Sequence, residues 1–184
     1  PVLVDVPKDV QIALCEYEPK GEPSKKFPLP YGKDEDIEEA IRLVNEAKRP
    51  YIYIGGGAAG LGLGGEIVEF AEKIDAVIGC TFMGISAIPD GCERFLGMQG
   101  MHGRFASSVS QNKADLIIGI GSGVIQDLCK YVSSDKKVPY FIVATAPSMD
   151  GYASNGAAMI LGGMKETVSA HLPKQERSCI AATL

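Results

Sequence analysis

The sequence predicts an α/β fold in which a mostly parallel sheet lies between two layers of helices. Apolar runs of strand length alternate with segments whose apolar residues recur every three or four positions. This β-α-β-α order favours parallel strands joined by right-handed crossovers. Several of the apolar runs also end in glycine, which is typical of tight strand-to-helix turns. We therefore expect a Rossmann-like three-layer sandwich, followed by a C-terminal β-hairpin.

The first helix of the sandwich is expected to follow a proline-rich segment. Residues 1–7 indicate a short strand ended by proline, and residues 15–33 contain four prolines among Glu and Lys, as in an extended linker. Residues 34–36 are acidic, which favours a helix N-terminus, and residues 48–50 (Lys, Arg, Pro) would end that helix. Its apolar face would consist of Ile37, Ile41 and Val44.

Four strands are expected in the middle of the chain, separated by helices around Ile67, Val109 and Ile125. In the last of these helices, Asp127 and Lys130 are expected on the solvent face. The predicted strands comprise residues 51–54, 76–80, 116–120 and 140–143.

Three other stretches complete the prediction. Residues 86–101 contain Gly and Pro and predict irregular structure. The pair Gly162-Gly163 separates two strand-like runs and predicts a two-residue hairpin turn. Residues 174–184 show no period, and we expect a frayed tail.

Composition excludes several classes of protein. The chain has 184 residues, 46% of them hydrophobic and 22% charged, which rules out intrinsic disorder. Its net charge of -5 argues against a nucleic-acid surface, and no apolar run is long enough to span a membrane. The five cysteines lack C-x-x-C spacing, so we expect no disulfide framework, no metal site and a cytoplasmic location. Because the chain begins at Pro1 without Met, we expect it to be part of something longer.

Glycines at two strand ends carry the main functional signal. Gly55, Gly56 and Gly57 follow one strand, and Gly121 and Gly123 flank the end of another. Glycine lets the backbone approach a pyrophosphate, and the following helix offers free N–H groups. The pattern fits equally well with tight turns that bind nothing.

Catalysis is less well supported than binding. The sequence contains no G-x-S-x-G, no H-E-x-x-H, no P-loop and no conspicuous pair of carboxylates, so no catalytic residue is predicted. Taken alone, His102 is more typical of a helix cap or a surface residue than of a ligand-binding group, and Asp150 of a turn.

Most of the chain resembles a known family. Residues 1–11, 47–57, 81–84, 87–89 and 96–103 follow one another as in thiamine-diphosphate-dependent enzymes of the acetolactate synthase type. The resemblance covers residues 1 to about 120 and implies a central domain that holds FAD, which takes no direct part in carboligation. Thiamine diphosphate and Mg²⁺ would belong to other parts of the complete parent enzyme. The implied FAD contacts are Gly55, Gly56, Gly57, Thr81, Phe82, Met83, Gly100, Met101, His102 and Gly103.

Residues from about 115 to 173 resemble a second family. Residues 121–131 and 145–152 are similar to glycerol-1-phosphate dehydrogenases of the iron-containing alcohol dehydrogenase superfamily. Acetolactate synthases usually have an arginine where Ser122-Gly123 stands here, so the chain departs from the first family at this point. The resemblance implies substrate contact by Asp150. The implied NAD(P) contacts are Gly121, Ser122, Gly123, Thr145, Ser148 and Ser154.

These resemblances lead to two hypotheses of function. The first is a central FAD-type nucleotide-binding domain fused to a dehydrogenase fragment and inactive by itself. The second is a truncated NAD(P)-dependent dehydrogenase acting on glycerol 1-phosphate; a third, plainer possibility is a fold that binds nothing. We also expect self-association through uncovered apolar faces, and no nucleic-acid or membrane partner. The predicted units are residues 1–14 (the end of a thiamine-enzyme N-terminal domain), 15–33 (linker), 34–120 (thiamine-enzyme central domain), 121–173 (dehydrogenase segment) and 174–184 (tail).

Overall fold

A parallel β-sheet organises the part of the chain that the structure describes. The computed structural model describes residue 5 and residues 7–16, 33–146, 154–170 and 179–180. The strands are β1 (Pro50–Ile54), β2 (Val77–Cys80), β3 (Phe95–Met98), β4 (Leu116–Gly121), β5 (Tyr140–Ala144), β6 (Gly156–Leu161), β7 (Met164–Ser169) and β8 (Cys179–Ile180). The helices are α1 (Lys8–Ile12), α2 (Asp34–Glu46), α3 (Gly56–Gly60), α4 (Gly64–Lys73), α5 (Phe105–Lys113) and α6 (Gly123–Lys136), with a 3₁₀ turn at Phe82–Gly84.

The strand order confirms the predicted fold class. The sheet runs β3-β2-β1-β4-β5-β8, and every pair in it is parallel. The first five strands follow the order of the doubly wound nucleotide-binding folds. The predicted hairpin is also confirmed: β6 and β7 pair antiparallel, and Gly162 and Gly163 both adopt positive φ at the turn.

Three elements differ from what the sequence predicted. The strand β3 lies inside the stretch expected to be irregular, because a four-residue strand beside a bulge has no readable alternation. Residues 179–180 of the expected tail pair with Ile142 and Val143 of β5. Helix α1 was not predicted. The strand expected near the N-terminus and most of the linker fall on residues outside those described.

Each face of the sheet supplies one hydrophobic core. Alternate residues of β1 point to opposite faces, so Ile52 and Ile54 join helices α2, α3 and α4, while Tyr51 and Tyr53 join helix α6. The five residues of β1 and the six of β4 are all buried. This explains why both strands read as continuous apolar runs instead of alternating ones. None of the described helices combines the length and hydropathy that a membrane crossing requires.

The expectation that Asp127 and Lys130 face solvent is wrong. Lys130 has no exposed surface and Asp127 is 7% exposed. Helix α6 packs against the sheet on one side and the β6–β7 hairpin on the other, so it has little solvent face in its middle turns. The Nζ of Lys130 donates to the carbonyl oxygens of Ser154 and Gly156 at 2.7 and 3.1 Å. These charge-assisted bonds tie the hairpin to the helix.

A buried polar cluster joins β1 to helix α5. The Tyr51 hydroxyl is 2.9 Å from Ser107 Oγ and donates to Gln99 Oε1 at 3.0 Å. Gln99 in turn donates to Gln111. Gly79 of β2 leaves the room for this cluster, because a Cβ there would overlap the Tyr51 hydroxyl and lie 2.5 Å from Ser107 Oγ. A buried polar group costs free energy unless it is hydrogen-bonded. Gly79 avoids this cost because it leaves the space in which the Tyr51 hydroxyl reaches its partners.

Replacing Gly79 with alanine should therefore destabilise the protein. We expect the free energy of unfolding of Gly79→Ala to fall by about 2 kcal/mol, because the added methyl group displaces the Tyr51 hydroxyl. Urea denaturation measures this. Gly65→Ala in helix α4 is the matched control, since nothing lies within 4 Å of its Cβ position. Equal stability of the two variants would contradict the role assigned to Gly79.

Buried thiols should make the fold sensitive to alkali. Burial raises the pKa of Cys80 to about 11 and also raises the pKa of Cys129. The thiol ionises near pH 8.5 in an unfolded chain, so its stabilising contribution is present below about pH 8.5 and is lost as the pH rises toward the folded value. The free energy of unfolding of the parent should fall between about pH 8 and pH 10.5. We expect this fall to be smaller in Cys80→Ala by on the order of 1–2 kcal/mol, because the variant lacks the buried thiol. Urea titrations at both pH values test this, with the exposed Cys15→Ala as control.

Candidate functional site

The strand ends that carry the predicted site residues meet at one edge of the sheet. The strands of the six-stranded sheet are all parallel, so their carboxyl ends lie together, and backbone hydrogen bonds connect neighbouring loops and strand ends. Gly55 N donates to Ile120 O at 2.9 Å, Thr81 N to Ile54 O at 2.9 Å, and Thr145 N to Gly121 O at 3.0 Å. The border between β1 and β4 is the point where the strand order reverses, which is where open α/β sheets bind ligands.

The glycine loop after β1 is packed tightly against three neighbouring elements. A Cβ at Gly55 would lie 2.8 Å from Cγ1 of Ile125, and one at Gly56 would lie 2.9 Å from Cβ of Met83. A Cβ at Gly57 would overlap the Thr145 side chain. Packing against the rest of the protein is therefore sufficient to require glycine at these three positions. Its inner side is filled by protein, while Gly56 and Gly57 stay partly exposed on the outer side.

The segment after β4 leads directly into helix α6. Gly121 and Gly123 are buried, and a Cβ at Gly121 would overlap Ile125. Ser122 precedes the helix, and its side chain makes no capping hydrogen bond. Helix α6 has 14 residues, so its free N–H groups and dipole favour a negatively charged group at this end.

A second group of predicted residues lies at the ends of β2 and β3. His102 and Gly103 line a cleft of about 390 Å³. Gly100 adopts a φ of +110° in the turn after β3, and Met101 beside it is 92% exposed. The cleft also contains Arg104, which sequence reasoning missed. The available signal was a basic residue directly after His102-Gly103 and directly before a helix.

The remaining predicted residues come from the C-terminal part of the chain. Ser148 and Asp150 are outside the described residues. Ser154 begins the hairpin, where its Oγ accepts from Gly156 N at 3.0 Å and its carbonyl accepts from Lys130. The contacts of Ser154 therefore anchor β6 to helix α6.

Large exposed apolar side chains surround the glycine-rich edge. Large apolar side chains grouped on one exposed surface are typical of places where proteins bind ligands or other proteins. The described part of the chain holds no group of three or more His, Cys, Asp or Glu that could bind a metal ion. The edge therefore offers backbone N–H groups and apolar surface. The exposed fractions are 73% for Phe82, 70% for Met83, 92% for Met101, 84% for Phe105 and 68% for Val124.

The fold and this edge define a Rossmann-like α/β domain. Residues 37–170 match the family model described as thiamine pyrophosphate enzyme, central domain. The chain belongs to this family. The match continues through residues 121–170, the segment for which the sequence suggested a second resemblance.

Curated relatives agree with the family model. The chain is 37% identical over 124 residues to the acetolactate synthase large subunit of Corynebacterium glutamicum, covering 66% of this chain and 20% of that protein. It is 36% identical over 122 residues to the acetolactate synthase isozyme 1 large subunit of Escherichia coli, covering 66% and 21%. The resemblance predicted for residues 1 to about 120 is thereby confirmed. The chain spans about a fifth of the length of these relatives.

Solved structures show likeness of fold alone. A putative thiamin diphosphate-dependent enzyme from Mycobacterium smegmatis superposes with a TM-score of 0.50 at 18% identity, covering 71% of this chain and 26% of that one. Glycerol dehydrogenase from Schizosaccharomyces pombe reaches a TM-score of 0.45 at 16% identity, covering 77% and 34%. The second likeness is too weak to carry an argument, so the dehydrogenase resemblance stays a prediction.

The contact between Gly57 and Thr145 can be tested by a double-mutant cycle. Gly57→Ala should destabilise the protein by about 2 kcal/mol, because the new methyl group displaces the Thr145 side chain. The same change in a Thr145→Gly background should cost much less, since the obstacle is gone. Urea denaturation of the four proteins gives the coupling energy. Additive effects would show that the two loops do not pack as described.

Proposed function

We propose that this chain is the nucleotide-binding central domain of an acetolactate-synthase-like thiamine-diphosphate enzyme, and that its glycine-rich edge binds FAD. Family membership and the curated relatives support the class of domain. The FAD contacts would be residues 55–57, 81–83 and 100–103. The observation that carries the proposal is that these three segments lie at the carboxyl ends of β1, β2 and β3, which are adjacent in the sheet.

The shape of the edge fits an extended dinucleotide. Neighbouring strands are about 4.8 Å apart, so a ligand lying across β3, β2, β1 and β4 spans roughly 14 Å. The inner side of the glycine loop is filled, and the ligand would therefore lie over the partly exposed Gly56 and Gly57. Backbone N–H groups there would bind a pyrophosphate. The exposed Phe82, Met83 and Met101 would cover an aromatic ring.

The proposed role of the domain is binding without chemistry. The residues at the edge supply hydrogen-bond donors and apolar contacts, and no acid-base pair is found among those described. Thiamine diphosphate and Mg²⁺ would be held by other parts of a complete enzyme. We therefore propose that the 184-residue polypeptide does not form acetolactate by itself.

NAD(P) binding is the alternative. The segment Gly121-Ser122-Gly123 leads into the N-terminus of helix α6, beside Thr145, at the point where the strand order reverses. This end of a long helix suits a phosphate group. Under this alternative the chain is a truncated NAD(P)-dependent dehydrogenase related to those acting on glycerol 1-phosphate, with the nucleotide nearer β4 and β5 than β2 and β3.

Native mass spectrometry and flavin fluorescence quenching distinguish the two cofactors. We expect FAD to bind the purified chain, and Phe82→Ala and Met101→Ala each to weaken it by about tenfold, since each removes apolar contact at the edge. Both side chains are largely exposed, so the fold should persist. Ile160→Ala is the matched control, because Ile160 is 76% exposed but lies on β6.

Other results would favour different functions. Tighter binding of NADP⁺ than of FAD, weakened by Ser122→Ala, would support the dehydrogenase alternative. No binding of either nucleotide would contradict both proposals. Acetolactate production from pyruvate by the same preparation would disprove the proposal that the polypeptide is inactive alone.

A further inference from the structure

The turn between β3 and helix α5 is bonded at its base and exposed at its tip. The backbone N–H of Arg104 donates to Met98 O at 2.7 Å, and that of Gly103 donates to Gly100 O at 2.9 Å. Met101 at the tip is 92% exposed. The shape in which the turn presents its residues is therefore set at its base.

Gln99 lies at this base. Its backbone N–H donates to Cys80 O at 2.9 Å, which joins it to the last residue of β2. The turn folds back onto it, because a Cβ built at Gly103 would overlap Met98 O and lie 2.8 Å from Gln99 Cα. A change in the position of Gln99 would therefore move the turn above it.

The side chain of Gln99 belongs to a directed chain of hydrogen bonds. The Tyr51 hydroxyl has one hydrogen, which it donates to Gln99 Oε1 at 3.0 Å. Ser107 Oγ, 2.9 Å from the Tyr51 oxygen, is therefore the donor in that contact. The amide of Gln99 then donates to Gln111. Tyr51 and Ser107 have no exposed surface and Gln111 is 4% exposed, so losing Gln99 would leave polar groups without partners in the interior.

We propose that Gln99 is a positioning residue, whose side-chain amide holds residues 100–103 in the shape that contacts the nucleotide. Tyr51 of β1 and Gln111 of helix α5 bind this amide from two sides. Without these bonds the turn adopts several shapes, and the apparent affinity for ligand falls with the fraction that is competent to bind. The statement about the nucleotide rests on the proposed FAD function, whereas the ordering of the turn by Gln99 does not.

Amide hydrogen exchange tests the order of the turn without any ligand. Gln99→Leu keeps about the same side-chain size but loses both hydrogen bonds of the amide. We expect the N–H groups of Gly103 and Arg104 to exchange about tenfold faster in this variant than in the parent. The N–H of Ile118 in the central strand β4 should change less, because it reports general loss of stability. Asn112→Leu is the matched control, since the Asn112 amide bonds within helix α5.

Stopped-flow flavin fluorescence separates positioning from contact. In Gln99→Leu the rate constant for FAD association should fall about tenfold while that for dissociation changes little, because fewer free molecules are competent but the bound state is the same. Met101→Ala removes a contact and should instead raise mainly the dissociation rate constant. Gln99→Glu should restore association and slow exchange, because its carboxylate accepts from Tyr51 and from a reoriented Gln111 amide.

Three results would overturn the proposal. The first is exchange at Gly103 and Arg104 that is unchanged in Gln99→Leu, or that rises no more than at Ile118. The second is faster FAD dissociation with unchanged association, which would make Gln99 a contact residue. The third is failure of Gln99→Glu to restore either quantity. If the parent binds no FAD, the cofactor proposal fails, and the exchange measurements still decide whether Gln99 orders the turn.

Discussion

The pairing of β1 with β4 is the contact on which the rest of the structure depends. These two strands lie at the centre of the sheet, and their residues pair in register from Pro50 with Leu116 to Ile54 with Ile120. Both are buried on both faces, so they supply apolar surface to the two cores at once. Because the register is continuous, it also determines which residues of the two following loops lie opposite each other at the carboxyl edge. Gly55 and Gly121 come next to each other for this reason.

Close approach at that edge explains the glycine content of the loops. Four loops from four neighbouring strands converge, and backbone or side-chain atoms of a neighbouring segment fill the space that a side chain at each glycine would need. The same residues that suggest a phosphate cradle thus have a structural reason to be glycine. A ligand of this edge would contact its outer side, which exposes a set of apolar side chains and partly exposed backbone.

Buried polar groups connect the layers of the molecule. Lys130 holds the hairpin to helix α6 through two carbonyl oxygens, and Tyr51 joins β1 to helix α5 and the end of β3. A buried polar group costs free energy when it lacks a hydrogen-bond partner, and its hydrogen bonds form only in one geometry. These groups therefore favour one arrangement of the layers among several that an apolar core would allow. The second contact also supports the turn that carries Gly100 and His102, since Gln99 immediately precedes it.

The sequence by itself determined the fold class, the hairpin turn and most of the strands, because these depend on local patterns: apolar runs, helical periodicity and glycine pairs. It also placed Gly55, Thr81, Gly121 and Thr145 at strand ends, where parallel topology brings them together. Only the tertiary structure decided the burial of Lys130, the existence of β3 and the presence of Arg104 in a cleft. The burial of Lys130 depends on a hairpin that returns over helix α6 from far along the chain. The strand β3 depends on pairing with β2, and the cleft lies between the loop before β3 and the turn after it, so it exists only where that strand forms. Pairing between separate strands and packing between separate elements leave no local pattern, so neighbouring residues could mark Arg104 as a basic residue before a helix but could not reveal the cleft around it.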